Sequence, residues 1–581
     1  MSNINCGIAN LSLTSDIHDI FSLPVEVLQI IFFVVLSDTF WASRDLDRVS
    51  GTNVPKLRTE LQLVCKLWQS FVLSCPRLWT FVDLQFSSHK AVLRAVDLSG
   101  TAPLLFSGHR RYPRGAEERF EYLEALRIVA KLLSSAAHRI AALLLHSPED
   151  SAVLVGWSLH ESPITPPCNA TALQHFELSM FSVWDAKAGN APDPLWLSIL
   201  AGAPNLTSFK LTGVGHQQFW ATLATSTPIT RLRSLELVLN DRIAILDFAT
   251  LLGRLPELEN LDLRYVFFVE FTVETATAAL ENGRDIELQR LRSLHIKDCQ
   301  SNVFCLIQKL VLPLRVNIVL DHITMDPKRG DEDTILRCIP RIVASVSPEN
   351  MEVLSLRLDK GHIMLSGCSE TASQSAHCKP GLLLQFEGDP YRPFDPQPTA
   401  VHFARDILAC LPLEQPHSMT LELPPGPCAV YEHIAVLRPV FARLTHVQAC
   451  VTNSPASQAM ASLVQLLRVE DEDPAPLPQL ACLGFGNRLP WCPGCASDFA
   501  RDLCEVLRAR AAGGRPVRRV AVMSPNGLNV PESLESDVRA LVAVFEDNVE
   551  SPKATQADGR ECPCKKGDGM PAPQGAEATE D

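Results

Sequence analysis

The sequence predicts an α+β to α/β protein in two parts: a small N-terminal helical domain, then a long, irregular solenoid of helix-and-strand units. Three observations predict it. The chain has 581 residues, too many for one simple core, with 46% hydrophobic and 20% charged side chains, a globular composition. Two apolar helical patterns, the second bearing a tryptophan, fall close together before residue 86. Beyond them a short word of the form apolar-x-x-apolar-x-apolar returns many times.

Residues 1–20 read as a flexible lead; they have neither a basic start nor an apolar core, so no export signal is expected. The helical domain is expected over 21–86. Ser22 is a natural N-cap, and Leu23-Pro24 places a proline at a helix start, where its missing donor costs nothing. From Val25 to Leu36 apolar residues nearly circle the helix, so it needs partners on more than one side. The run Leu23–Leu36 contains Glu26 and Gln29 and is shorter than the ~20 residues that cross a bilayer, so no membrane partner is expected. Residues 37–60 are polar and charge-rich and read as an inserted loop.

A second helix is expected over 57–73, with Leu57, Leu61, Val64, Cys65, Trp68 and Val72 on one face. Pro76 forbids its continuation, and Val82, Leu84 and Phe86 then alternate as a strand.

The repeated words are LQHFEL (173–178), LTSFKL (206–211), LRSLEL (232–237), LENLDL (258–263) and LRSLHI (291–296), with looser copies MEVLSL (351–356), LTHVQA (444–449), LACLGF (480–485) and VRRVAV (517–522). The first five start 33, 26, 26 and 33 residues apart, which brackets a leucine-rich-repeat period with insertions. The last two apolar positions alternate as in a strand with one buried face, and helix-capable stretches such as Asp247–Arg254 lie between. Such units stack because none buries its apolar face alone. The leucine-rich-repeat-like solenoid is expected over 87–550, with insertions near 361–398: Gly361–Pro380, rich in Ser, Gly and Cys, and the proline-rich Gly388–Pro398. Residues 551–581 carry few large apolar side chains and are expected to be disordered.

Several functions are disfavoured. The net charge of −14 argues against a nucleic-acid partner, and His109-Arg110-Arg111 with Arg114 reads as a solvated loop. Eighteen cysteines in a chain without an export signal read as buried or free thiols. Cys492-Pro493-Gly494-Cys495 and Cys562-Pro563-Cys564 are far apart and lack a His pair, so no metal is expected. The acidic run Glu470–Asp473 reads as a solvated loop. No phosphate loop, G-x-S-x-G elbow or H-E-x-x-H is present, so neither an enzyme nor a cofactor is expected.

The order Leu23-Pro24, an aliphatic helix ending in Phe32-Phe33, then Val64-Cys65-Lys66-Leu67-Trp68, then Leu78-Trp79 before a strand resembles the F-box. The Cys75-Pro76-Arg77-Leu78-Trp79 version, with a long segment between the helices, is especially similar to F-box-like proteins of mushroom-forming fungi, and the leucine repeats that follow fit the same family. The resemblance covers roughly 65 residues and implies a non-catalytic, intracellular substrate receptor of an SCF-type ubiquitin ligase. The box would dock an SKP-type adaptor, through it the cullin and RING subunits, and the repeats would hold a protein substrate.

Carried over by position, Leu23, Pro24, Val27, Leu28, Ile31, Phe32, Leu61, Val64, Cys65 and Trp68 would form the adaptor-binding surface. Trp68 would support or join that surface, while Leu78 and Trp79 would pack the hinge between box and repeats. The sequence departs from the compact family pattern at 37–60. Two other readings stand beside this one: a leucine-repeat scaffold without a ligase, whose helices only cap the solenoid, and an enzyme hidden in the second half.

Overall fold

The computed structural model describes residues 23–549 apart from 43–52, 109–115, 147–168, 180–193, 326–330, 370–380, 389–397, 412–417, 424–443, 452–478, 488–492, 525–531 and several gaps of one to three residues. The lead, Ser22, the basic cluster near 110, the acidic run near 471, Cys492, Cys562, Cys564 and the tail therefore lie outside the described residues. The fold is mixed α/β, built on mostly parallel strands, and divides into two units: residues 1–243 with 250–258, and residues 244–249 with 259–581.

The first unit opens with helices α1 (Val25–Ala42), α2 (Val54–Val64) and α3 (Lys66–Ser74) and a short 3-10 turn, Pro76–Trp79. Of the loop expected over 37–60, residues 43–52 lie outside the described residues. Its first residues extend α1 and its last ones begin α2, where the Asn53 side chain accepts from Lys56 N at 2.9 Å and Pro55 sits in the first turn. That pairing of an Asn cap with an early proline outweighs the polarity of the stretch.

Six parallel strands follow in chain order, each hydrogen-bonded to the next: β1 (Phe81–Asp83), β2 (Leu104–Ser107), β3 (Ile140–Leu145), β4 (His175–Ser179), β5 (Ser208–Gly213) and β6 (Ser234–Leu239). Helices α4 (His89–Leu98) and α5 (Ala116–Ser135) connect β1 to β2 and β2 to β3. Phe86, expected on the inner face of a strand, lies beyond the end of β1 and is exposed.

In the second unit come β7 (Asn260–Arg264), β8 (Ser293–Lys297), β9 (Asn317–Met325), β10 (Val353–Asp359), β11 (His362–Cys368), β12 (Leu382–Gly388), β13 (Ser418–Leu423), β14 (His446–Val451), β15 (Cys482–Asn487), β16 (Arg519–Ser524) and β17 (Val544–Val549). Neighbours are parallel and in chain order except in the middle. There β10, β11 and β12 form an antiparallel meander laid in reversed order, so that β9 pairs with β12 and β10 pairs with β13. The composition of 361–398 suggested insertions. Within that stretch Ile363 and Leu365 alternate inward on β11, and Leu382, Leu384 and Phe386 do so on β12, while 370–380 and 389–397 lie outside the described residues.

All nine repeated words become strands that begin two residues into the word. Their first residues, Leu173, Leu206, Leu232, Leu258, Leu291, Met351, Leu444, Leu480 and Val517, are all buried. In the first five the amide of that leucine donates to the carbonyl three residues earlier, on Ala170, Ala203, Ile229, Leu255 or Leu288, at 3.0–3.2 Å. One turn geometry thus feeds each strand. The fourth positions, from Phe176 and Phe209 to Val520, are buried, and the helices pack on that face: Phe176 meets Trp196 of helix Pro194–Ala201, and Phe386 meets Phe304 of helix Val303–Lys309.

Candidate protein-docking site

Helix α1 is held along one stripe only. Leu28, Phe32, Leu36 and Phe40, spaced four apart, are buried. Phe32 meets Trp68 edge-on at 4.6 Å between ring centroids and Phe71 at 5.8 Å, while Phe33 and Phe40 lie 5.3 and 5.5 Å from Phe81 of β1. At its far end Trp41 meets His175 of β4 at 5.0 Å. At its start the Pro24 carbonyl accepts from the amides of Val27 and Leu28, closing the first turn.

The single helix expected over 57–73 is two helices. Cys65 is extended, at φ −162° and ψ 168°, and it ends α2 and caps α3 together, its Sγ accepting from Trp68 N at 3.4 Å. A thiol seldom serves as a cap, so apolar periodicity alone carries straight through this break. The bend changes which side chains face out. Leu63 is 77% exposed and Leu67 is 59% exposed, with Val64 between them in sequence also exposed.

The sequence-predicted contact residues separate into three groups. Pro24, Val27, Ile31 and Val64 are on the surface; Leu23, Leu61 and Cys65 are half-buried. Leu28, Phe32 and Trp68 are interior, and the contact of Phe32 with Trp68 joins α1 to α3. Sequence reasoning passed over Ile30, Val34, Val35, Leu63 and Leu67, all exposed. For α1 the signal was there, in a helix apolar on every side. For Leu63 and Leu67 it was hidden by the break at Cys65.

Behind this apolar face, Leu78 and Trp79 are buried. The Trp79 indole donates to Val72 O of α3 at 2.7 Å, and its ring lies under the Arg58 guanidinium of α2 at 4.6 Å and near that of Arg94 of α4 at 5.6 Å. Arg58 is buried and donates to the carbonyls of Leu78 at 3.1 Å and Phe81 at 2.7 Å. Burial pulls it down to about 10, still protonated at neutral pH. One side chain thereby ties α2 to the turn and to β1.

The faces of the strands opposite the apolar core are polar. In the first unit Lys210 bridges Glu177 at 3.4 Å and Glu236 at 3.1 Å across register-matched strands, and Glu177 also takes the His146 ring at 3.0 Å. In the second unit Asp262 pairs with His295 and Arg264, and Lys297 with Asp321. Burial works to raise the Asp262 carboxyl, but the hydrogen bonds from His295 and Arg264 outweigh it and hold the carboxyl below its ordinary value.

Among the described residues no three of His, Cys, Asp and Glu converge as metal ligands. Burial pushes the Cys299 and Cys338 thiols up to about 12, which removes thiolate character at neutral pH. Helix α1 spans 18 residues and by length and composition alone is apolar enough to cross a membrane, which corrects the shorter run read from the sequence. Its stripe of four docked side chains, however, is engaged with protein. No family model matches the chain, and a search of curated proteins finds no match, so the family likeness of these helices rests on the residues quoted above.

Proposed function

We propose that this chain is a non-catalytic substrate receptor of an SCF-type ubiquitin ligase, docking an SKP-type adaptor through α1–α3 and holding a protein substrate on a leucine-rich-repeat-like solenoid inside the cell. The supporting observation is the outward apolar face of the N-terminal helices. Ile30, Ile31, Val34, Leu63, Val64 and Leu67 are exposed on three helices whose inward stripe is already filled by Leu28, Phe32 and Trp68. A helix that only capped a solenoid would turn a polar side to water. Large exposed apolar groups in one small helical region mark an interaction surface instead. The receptor role needs no catalytic group of its own, because tethering a substrate near the transfer chemistry raises its effective concentration.

The test separates surface from interior. Ile31→Glu with Val64→Glu, both at exposed positions, should lower adaptor affinity by at least about 2 kcal/mol in titration calorimetry while leaving thermal unfolding unchanged. Trp68→Ala should lower thermal stability, since the indole is buried against Phe32. If the wild type binds no SKP-type adaptor at micromolar concentration, or floats with lipid vesicles through α1, the receptor reading fails.

A further inference from the structure

Three neighbouring parallel strands of the first unit each bring one polar side chain to the same place. Ser107 closes β2, His146 directly follows β3, and Glu177 is the middle residue of β4. Ser107 and Glu177 both stand level with Leu144 of β3. They are therefore two strands apart, about 9–10 Å across the sheet, and the imidazole of the strand between them spans the gap. Ser107 Oγ lies 3.4 Å from His146 Nε2, and His146 Nδ1 lies 3.0 Å from Glu177 Oε1.

These contacts set the chemistry of the ring. A carboxylate only accepts, so Nδ1 carries the ring proton and Nε2 turns its lone pair to the Ser107 hydroxyl. Lys210 stands 3.4 Å from the same Glu177 oxygen and is shared with Glu236 at 3.1 Å, so the carboxylate has a counter-charge without the histidine. What the ring adds is a path from Glu177 to Ser107. The side chains of His146 and Glu177 are 5% and 4% exposed, and Ser107 is 5% exposed. Bulk water is thereby kept from competing for either bond.

We propose that Ser107, His146 and Glu177 form a nucleophilic triad that hydrolyses esters carrying a short acyl group. A hydroxyl bonded to a base that a third group orients is recognised by geometry, not by order in the chain, and the bond to the base is often loose before substrate arrives. Ser107 Oγ bonds to the acyl carbon while its proton passes to His146 Nε2. That proton leaves with the alcohol as the ester C–O bond breaks. Water then gives a proton to Nε2 and its oxygen to the acyl carbon, and the proton returns to Ser107 as the acid departs. Glu177 is a positioning residue, which acts by holding the ring in its tautomer. Ligands of open parallel sheets enter outside the carboxyl ends of the strands, where Ser107 lies, and its small exposure restricts the acyl group to a short one. This activity goes beyond the receptor role and does not rest on it, since α1–α3 supply none of the three residues.

The experiment uses the full chain with two probes, a rhodamine-tagged fluorophosphonate that labels activated serines and 4-nitrophenyl acetate as a short-chain ester. The wild type should take the label, with peptide mapping placing it on Ser107, and should turn over the ester. Ser107→Ala should lose both, and His146→Gln should slow labelling at least about a hundredfold. Glu177→Gln should slow it at least about tenfold, with part of the rate recovered in Glu177→Asp, a rescue that a packing role alone does not give. Thermal unfolding of every variant is measured beside the rates, and the mapping on the wild type needs no variant to fold. An unlabelled wild type, a label mapped to another serine, full labelling of Ser107→Ala, or a folded His146→Gln that labels as fast as the wild type would each overturn the proposal.

Discussion

Arg58 has its guanidinium closed off from water, two backbone carbonyls as acceptors and the Trp79 ring against one face. A charge in such a place is held by geometry, since a planar group can satisfy two carbonyls and an aromatic face at once. Lysine keeps the charge and loses the plane. Arg58→Lys should therefore destabilise the first unit by about 1–3 kcal/mol, because a buried carbonyl is left without its donor. Urea titration checks this, and unchanged stability would show that charge alone suffices there. None of this was legible in the sequence, where Arg58 reads as one more solvated arginine between Leu57 and Leu61. Its partners are 20 and 23 residues away, beyond the reach of any helical periodicity. Trp68 and Trp79 were legible as apolar anchors, yet only the packing of Phe32 against the first and Arg58 against the second separates their work.

Among elements, most of the strands that were foreseen are announced by a buried apolar residue, usually leucine, two residues before they begin. That residue plugs the turn, and the strand then alternates inward at fixed places, so local pattern and packing agree. Leu235 at the fourth position of its word is buried on β6 opposite Phe209 of β5, and Leu235→Ala should cost about 2–5 kcal/mol by chemical unfolding. A loss under about half a kcal/mol would place it outside the stacked core. Strands β2, β3, β9 and β11 carry no such word. β3 is a continuous apolar run, which cannot by itself be told from a helix, and β11 sits in a stretch whose Ser, Gly and Cys content suggested a loop. The two-helix form of 54–74 was missed for a different reason. A cysteine took the capping task that Ser, Thr, Asp or Asn usually performs.

For the molecule as a whole, strands that contact mainly their neighbours make stability a sum of local terms, and such chains depart from a single cooperative transition as they lengthen. The sequence supplies a convenient probe, since seven of its eight tryptophans lie at or before Trp220 and only Trp491 comes later. Urea unfolding followed by tryptophan fluorescence should therefore have a midpoint different from that followed by far-UV circular dichroism, which reports both units. Coincident curves would show one cooperative block. The reversed meander bears on a different matter, the order in which the chain can be built as it leaves the ribosome. In the second unit β8 and β9 each find a partner already made, β7 and β8, and growth proceeds one step at a time. Then β9 faces β12, whose pairing partners Leu382–Gly388 arrive only after 63 more residues, 325 to 388. At roughly 5–20 residues per second of synthesis the edge of β9 waits about 3–13 s, uncovered, with its amides and carbonyls unpaired on that side. An unpaired strand edge is where a second chain can add itself. The nascent protein is therefore most open to chaperone capture, or to mispairing between neighbouring copies on one messenger, during the interval in which β10 and β11 are being made.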